Sequence, residues 1–355
     1  MTLPAPLAEL IGDIPPVDDA AAEAAVRRHD RLAKPPGSLG ALEAVGARLS
    51  AIAGRCPPPV PQAPAVLVAA ADHGVHARGV TPWPQAITAT MVERFCAGDA
   101  AVNVLADAVG AQVAVLDVGV AGVVADHPRL RRARILDGTA DLSRGPAMSR
   151  DEAVRALLAG EGVVSELVAA GVDLLVPGDM GIANTTAGSC LVAAFTGRPA
   201  AEVTGAGAGA DVEAVARKTA LVDAALAHHR PDPTDPLGVL AALGGLEHAA
   251  LAGAILAAAA EGLPVVLDGL ASVAAALVAA RLCPAVVGYL IGGHRSTEPG
   301  AGAALDHLGV PPLLDLGMRL GEGTGGLLAV PLVVAAARVL GEMATLDDLG
   351  VGFGA

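Results

Sequence analysis

The chain has 355 residues, of which 53% are apolar, 17% charged and 1% aromatic, with 23 basic against 37 acidic residues and a formal charge of −14. That much apolar material excludes a disordered chain, and four cysteines in such a length exclude a disulfide scaffold. The acidic balance and the lack of aromatics argue against nucleic-acid binding, which needs a basic footprint or stacking platforms.

The first sixteen residues carry Glu9 and Asp13 and no basic n-region, so they do not read as a signal peptide. Residues 20–32 and 39–53 have helical patterning, and a proline-rich connector, 56–64, follows. Beyond it, apolar runs at 65–71, 112–118, 172–176, 264–267, 285–291 and 313–316 alternate with helix-length segments. Runs rich in Val, Ile and Leu and polar on neither side predict parallel strands covered on both faces. The expected fold class is α/β, a doubly wound, mainly parallel, Rossmann-like sheet. The Ala/Leu-rich stretch 237–260 is interrupted by Glu247 and His248 and reads as a core helix, not a membrane span. Cys56, Cys96, Cys190 and Cys283 lie far apart with no CxxC pair, which fits a reducing, cytosolic compartment.

Polar residues and glycines gather after the predicted strands: Asp72-His73-Gly74, Gly178-Asp179-Met180-Gly181, Asp268-Gly269, Gly293-His294-Arg295-Ser296 and Gly317-Met318-Arg319. In open parallel sheets that edge binds ligands, although any one such loop needs glycine and cap residues anyway. No P-loop motif occurs. Gly205-Ala206-Gly207-Ala208-Gly209, ahead of a helix starting near Asp211, is either a flexible turn or an anion cradle. Gly181 to Thr186 offers a second cradle, in which Asn184 and Thr185 can cap the next helix. Of the basic residues only Lys34 and Lys218 are lysines, and Lys218 reads either as a solvated helix charge or as a point charge for a phosphate. Asp72-His73-x-x-His76 is too thin a pattern for a metal, and no metal is expected. Glu322, framed by Gly321 and Gly323 at the start of an apolar helix (327–340), either complements the helix dipole or serves as a general base. In the second reading the glycines admit a ligand and Leu320 desolvates the carboxyl.

Taken together, Lys34-Pro35-Pro36-Gly37-Ser38-Leu39-Gly40, Asp72-His73-Gly74-Val75, Gly178 to Thr186, Leu267-Asp268-Gly269, Gly293 to Gly300 and Arg319 to Gly325 are specific. From about residue 10 to 345 the chain resembles the nicotinate-nucleotide–dimethylbenzimidazole phosphoribosyltransferases, which make the lower-ligand nucleotide of cobalamin. The resemblance implies a homodimer, each chain having a sheet domain (61–324) and a small helical domain from both termini (1–60 plus about 325–355). It implies transfer of the phosphoribosyl group of nicotinate mononucleotide to 5,6-dimethylbenzimidazole, without cofactor. Carried over by motif, Glu322 is the general base, and Gly181, Asn184, Thr185, Gly207, Lys218, Ser296, Arg319 and Gly323 surround the phosphoribosyl group. Trp83, Met91, Met180 and Leu320 form the base pocket. Asp179 stands where the family commonly has Glu, one methylene longer. A transferase using phosphoribosyl pyrophosphate would show paired acidic residues after a strand, and the chain has none. A non-catalytic nucleotide binder of the same fold is the remaining alternative.

Overall fold

The computed structural model describes residues 3–350, and what the sequence suggests for 1–2 and 351–355 lies outside them. Among the described residues seven strands form one sheet in the order β3-β2-β1-β4-β5-β6-β7. They are β1 (Pro64–Ala71), β2 (Gln112–Gly119), β3 (Leu130–Arg132), β4 (Leu174–Met180), β5 (Val265–Leu267), β6 (Leu290–His294) and β7 (Pro312–Leu314). Every pairing in the sheet is parallel. The direction of winding reverses between β1 and β4, which opens a crevice beyond their carboxyl ends.

β1 shows why the runs lack polar alternation. All eight of its residues are buried. Because side chains alternate across a strand, Leu67 and Ala69 enter one core while Val66 and Val68 enter the other. The first core is covered by the helices Arg150–Ala169, Asn184–Thr196, Leu246–Ala260 and Leu270–Leu282. The second is covered by Ala41–Ala53, Ile87–Ala97, Ala101–Val109 and Thr324–Glu342.

Four elements differ from expectation. β3 is missed because Leu130-Arg131-Arg132 has one apolar residue, and its pairing with Val115–Asp117 makes it a strand. The run from Ala285 reads as a strand by its valines, but Pro284–Tyr289 is a 3-10 turn and β6 begins only at Leu290. Proline at the first position presets the turn's φ. β4 continues through Pro177 to Met180, where the sequence suggests a loop. The missing N–H of Pro177 is tolerated because β4 and β5 pair only at Leu175 and Val265. The apolar stretch 237–260 is two helices, Pro236–Leu243 and Leu246–Ala260, parted at Gly244-Gly245.

Thr324–Glu342 is, among the described residues, the one helix long and apolar enough to cross a membrane, and here it lies in the second core. It starts at the sheet edge and ends against the N-terminal helices, where Leu340 meets Gly46 and its carbonyl accepts from Arg28. On this geometry we propose that residues 1–60 and the segment from about 325 form a helical unit set on the sheet unit 61–324, with that helix shared between them.

The closest helix contact lies behind the sheet. A Cβ on Gly160 would meet the Ala250 carbonyl oxygen at 1.8 Å, and one on Gly253 the Leu157 carbonyl oxygen at 1.9 Å. Each glycine therefore admits the other helix's backbone. Gly160→Ala should destabilise the protein by about 3 kcal/mol despite alanine's roughly 1 kcal/mol better helix propensity, because two rigid backbones must separate. Urea unfolding of the variant checks this; a gain in stability would show that the helices can part freely.

Candidate active site

A cavity of about 700 Å³ opens at the carboxyl edge of the sheet, over the switch between β1 and β4. The segment after β1 contributes Val80, Trp83, Ile87 and Met91, and Met180 and Leu320 add to this apolar flank. Polar groups come from Asn184 and Thr185, from the glycine turn at 206–208, and from Ser296, Glu298 and Arg319. Asp179, Gly181 and Glu322 also line it.

The loop carrying Glu322 is fixed by Asp268, at the end of β5. This buried carboxylate accepts the amides of Gly323 (3.0 Å), Gly325 (2.7 Å) and Gly326 (3.0 Å), and His294 lies 3.3 Å away. Burial alone would raise its pKa, but His294 and the amides hold it below the usual range. Glycine is required here for backbone approach. A Cβ on Gly178 would meet the Glu322 carbonyl oxygen at 2.4 Å, one on Gly323 the Val66 side chain at 2.5 Å, and one on Gly325 the His294 ring at 2.0 Å. Glu322 itself has φ +64°, unusual for a residue with a side chain. It is 5% exposed, and its Oε2 has no hydrogen-bond partner. Burial pushes its pKa up to about 7; the Val102 amide opposes this and Asp268 adds to it.

Several expected roles change. The frame of Gly321 and Gly323 serves loop packing, and the Gly323 amide is taken by Asp268. Leu320 is 56% exposed at the mouth, so the desolvation of Glu322 comes from the packed loop. Neither Asn184 nor Thr185 caps a helix: the N-cap of Asn184–Thr196 is Ala183, with no side-chain cap. Asn184 instead donates to Asp179 (2.7 Å), and the Thr185 hydroxyl accepts from Lys218 (2.7 Å). Lys218 is buried behind Thr185 and does not line the cavity; it is no solvated charge. The Gly207 amide donates to Glu298 and its carbonyl accepts from Arg319 (both 2.6 Å), so this turn offers no free Gly207 amide to an anion. Trp83 spans the mouth, its indole N–H donating to the Ala208 carbonyl at 3.0 Å.

Asp72, His73 and His76 do not converge. Asp72 accepts the Ala121 amide, His76 bonds the Trp83 carbonyl, and His73 turns to Glu247 at 2.8 Å. Glu247 also lies 2.7 Å from His248, and all three are buried. Burial would raise the Glu247 pKa, but the two imidazoles outweigh it and hold it low, while Glu247 raises that of His73 against burial. This group lies under Gly181, where a Cβ would stand 3.3 Å from His73 Nε2. Asp179, above it, is pushed up to about 7 by burial and by Asp268, against the Asn184 hydrogen bond. Asp268 and Glu298 are the site residues that sequence reasoning leaves without a role. Their signal is position, directly after β5 and in the loop after β6, and membership of the motifs Leu267-Asp268-Gly269 and Gly293 to Gly300.

A parallel-sheet crevice holding a cavity with an apolar and a polar flank, and two poorly solvated carboxyls, Asp179 and Glu322, in its wall, is the arrangement of a small-molecule site in an α/β enzyme. A family described as phosphoribosyltransferase matches residues 14–351. A nicotinate-nucleotide–dimethylbenzimidazole phosphoribosyltransferase of Chloroflexus aggregans is 54% identical over 345 residues, 97% of this chain and 98% of that protein. One from Salinispora tropica is 52% identical, covering 95% and 97%. The crystal structure of the enzyme so named from Thermus thermophilus superposes with a TM-score of 0.90 at 48% identity, over 95% of this chain and all of that one. The chain belongs to this phosphoribosyltransferase family.

Ionisation of Glu322 has a thermodynamic consequence. Unfolded, it ionises near 4.5; folded, it does so only near 7, so what this group contributes to wild-type stability is lost as pH rises from about 4.5 through 7. Glu322→Gln escapes this loss. Relative to wild type its unfolding free energy should rise across that window and level off above it, by on the order of 3 kcal/mol. Thermal unfolding at pH 4.5 and pH 8 measures the difference; a pH-independent gap would refute a raised Glu322 pKa.

Proposed function

We propose that this enzyme transfers the phosphoribosyl group of nicotinate mononucleotide to 5,6-dimethylbenzimidazole, giving α-ribazole 5′-phosphate and nicotinate. The observation that carries the reading is Glu322: a buried carboxyl, ionising near neutrality, in the wall of a cavity with an apolar and a polar flank, with an oxygen left free where its neighbour Asp179 is bonded to Asn184. The names of the relatives support the substrates.

Nicotinate leaves C1′ of a ribosyl pyridinium with the bonding pair, which cancels the ring's positive charge, so its departure needs no proton. A benzimidazole nitrogen attacks C1′ from the opposite face, turning the β-glycosidic bond into an α one. The other ring nitrogen carries an N–H whose proton must be removed, and Glu322 is the acceptor we assign. A base ionising near working pH is at once available and effective. The apolar flank, with Trp83, Met91, Met180 and Leu320, suits the bicyclic base. The flank with Gly181, Asn184, Thr185, Gly207, Ser296 and Arg319 suits the phosphoribosyl group, with Lys218 acting through Thr185. No pyrophosphate departs, so the proposed chemistry calls for no divalent ion. We further propose a cytosolic homodimer; the exposed Val104 and Val123 supply apolar surface for it.

Purified protein incubated with both substrates in EDTA, with both products followed by HPLC, tests the reaction. Wild type should release nicotinate and α-ribazole phosphate together, with kcat/KM rising through about pH 7 as Glu322 ionises. Glu322→Gln should lower kcat by roughly 10²–10⁴-fold. Nucleotide binding without nicotinate release would instead make the chain a binder of the same fold.

A further inference from the structure

The turn at residues 205–207 is held from below by two buried side chains of opposite charge. Lys218, 1% exposed, donates to the Gly205 carbonyl at 3.2 Å as well as to Thr185. Glu298, 4% exposed, accepts the Gly207 amide at 2.6 Å, and its second oxygen is buried without a partner. A Cβ on Gly205 would meet both Glu298 oxygens, at 2.6 and 2.7 Å, so only glycine lets the turn sit on the carboxylate. Glu298 is the N-cap residue of the helix Pro299–Leu308, yet its side chain makes no capping bond. A carboxylate at an N-cap ordinarily serves its own helix; this one serves the turn.

We propose that Glu298 is a positioning residue for an anion in this site: it holds the glycine turn through the Gly207 amide and supplies the negative charge that keeps Lys218 a cation behind Thr185. Because the Thr185 oxygen accepts from the ammonium, its own O–H is left to donate to a ligand in the cavity. The positive charge thus reaches the anion through a hydroxyl. Its persistence in a buried place needs a counter-charge. Burial lowers the Lys218 pKa and Glu298 raises it. Across from it, the Cys190 thiol is pushed up to about 12 by burial and stays neutral. Glu298 is then the acidic group on which the charge of Lys218 depends. Taking the anion to be the ribosyl donor's phosphate rests on the proposed function; the binding of inorganic phosphate does not.

The test compares Glu298→Gln with wild type, both by calorimetric titration with inorganic phosphate and by steady-state kinetics, at pH 6.5 and 8.5. The Gln amide oxygen can still accept from Gly207, so the turn keeps its anchor while the charge is lost. Phosphate affinity, as a ratio to wild type at the same pH, should be nearly unchanged at pH 6.5 and about tenfold lower at pH 8.5. KM for nicotinate mononucleotide should rise in the same pattern, with KM for the base unmoved. Glu298→Ala, which removes the anchor too, should weaken phosphate at both pH values. Equal phosphate affinities of wild type and Gln variant at both pH values, no phosphate binding by wild type, or a loss shared equally by the base would overturn the proposal. A loss of phosphate binding that depends on pH, in a protein that makes no ribazole product, would uphold it and overturn the function reading instead.

Discussion

The site depends on one carboxylate that does not line its cavity. Asp268 gathers three amides from the loop and first turn at 323–326 and faces His294. Those bonds hold a segment that is unfavourable in itself, with Glu322 at positive φ and three glycines pressed against strands and a ring. A helix N-terminus is a good place for a negative charge. Here the charge that uses it is Asp268, from the neighbouring strand. Glu322 sits just outside the helix and is left without that support.

This division explains why neighbouring carboxyls differ. Asp268 has amides and an imidazole and is held below the usual carboxylate range. Asp179 has one amide donor, from Asn184, and is pushed up to about 7. Glu322 has an unpartnered oxygen and a similar value. Deeper still, Glu247 lies between two histidines and is held low. The distribution of hydrogen-bond donors, more than depth, sorts these groups into fixed charges and titrating ones. A general base belongs to the second class, and its loop is rigid because an acid of the first class holds it.

Much of this was legible in the sequence. Buried strands, helix lengths and the gathering of glycine and polar residues at one sheet edge follow from patterning, and the combined motifs carry the family resemblance. What patterning cannot supply is which partner takes each hydrogen bond. The sequence offers the 205–209 turn as an anion cradle, and the resemblance sets Gly207 and Gly323 around the phosphoribosyl group, but Glu298 and Asp268, distant in the chain, claim their amides first. Lys218 looks like a surface charge because its helix is mixed in polarity; packing alone buries it behind Thr185. β3 escapes notice because a three-residue edge strand is made by its neighbour, and the turn at Pro284–Tyr289 because valines favour strands regardless of a leading proline.

The glycines show the same limit from another side. A glycine-rich segment before a helix suggests exposed amides for an anion. Around both Glu322 and the 205–207 turn the missing side chains instead let backbone lie on strand, ring or carboxylate. In each case an acidic side chain then takes the amides, and the polar group that faces the ligand is a side chain: Glu322 in the first loop, and beside the second Thr185, from the helix Asn184–Thr196, with Lys218 behind it. The two loops thus share one construction, a buried acid beneath a glycine segment. The first loop presents a carboxyl that titrates, and the second packs beside a hydroxyl charged from behind. Proton removal and anion binding need opposite electrostatic settings, and placing each acid under a separate glycine segment keeps the two settings apart within one cavity.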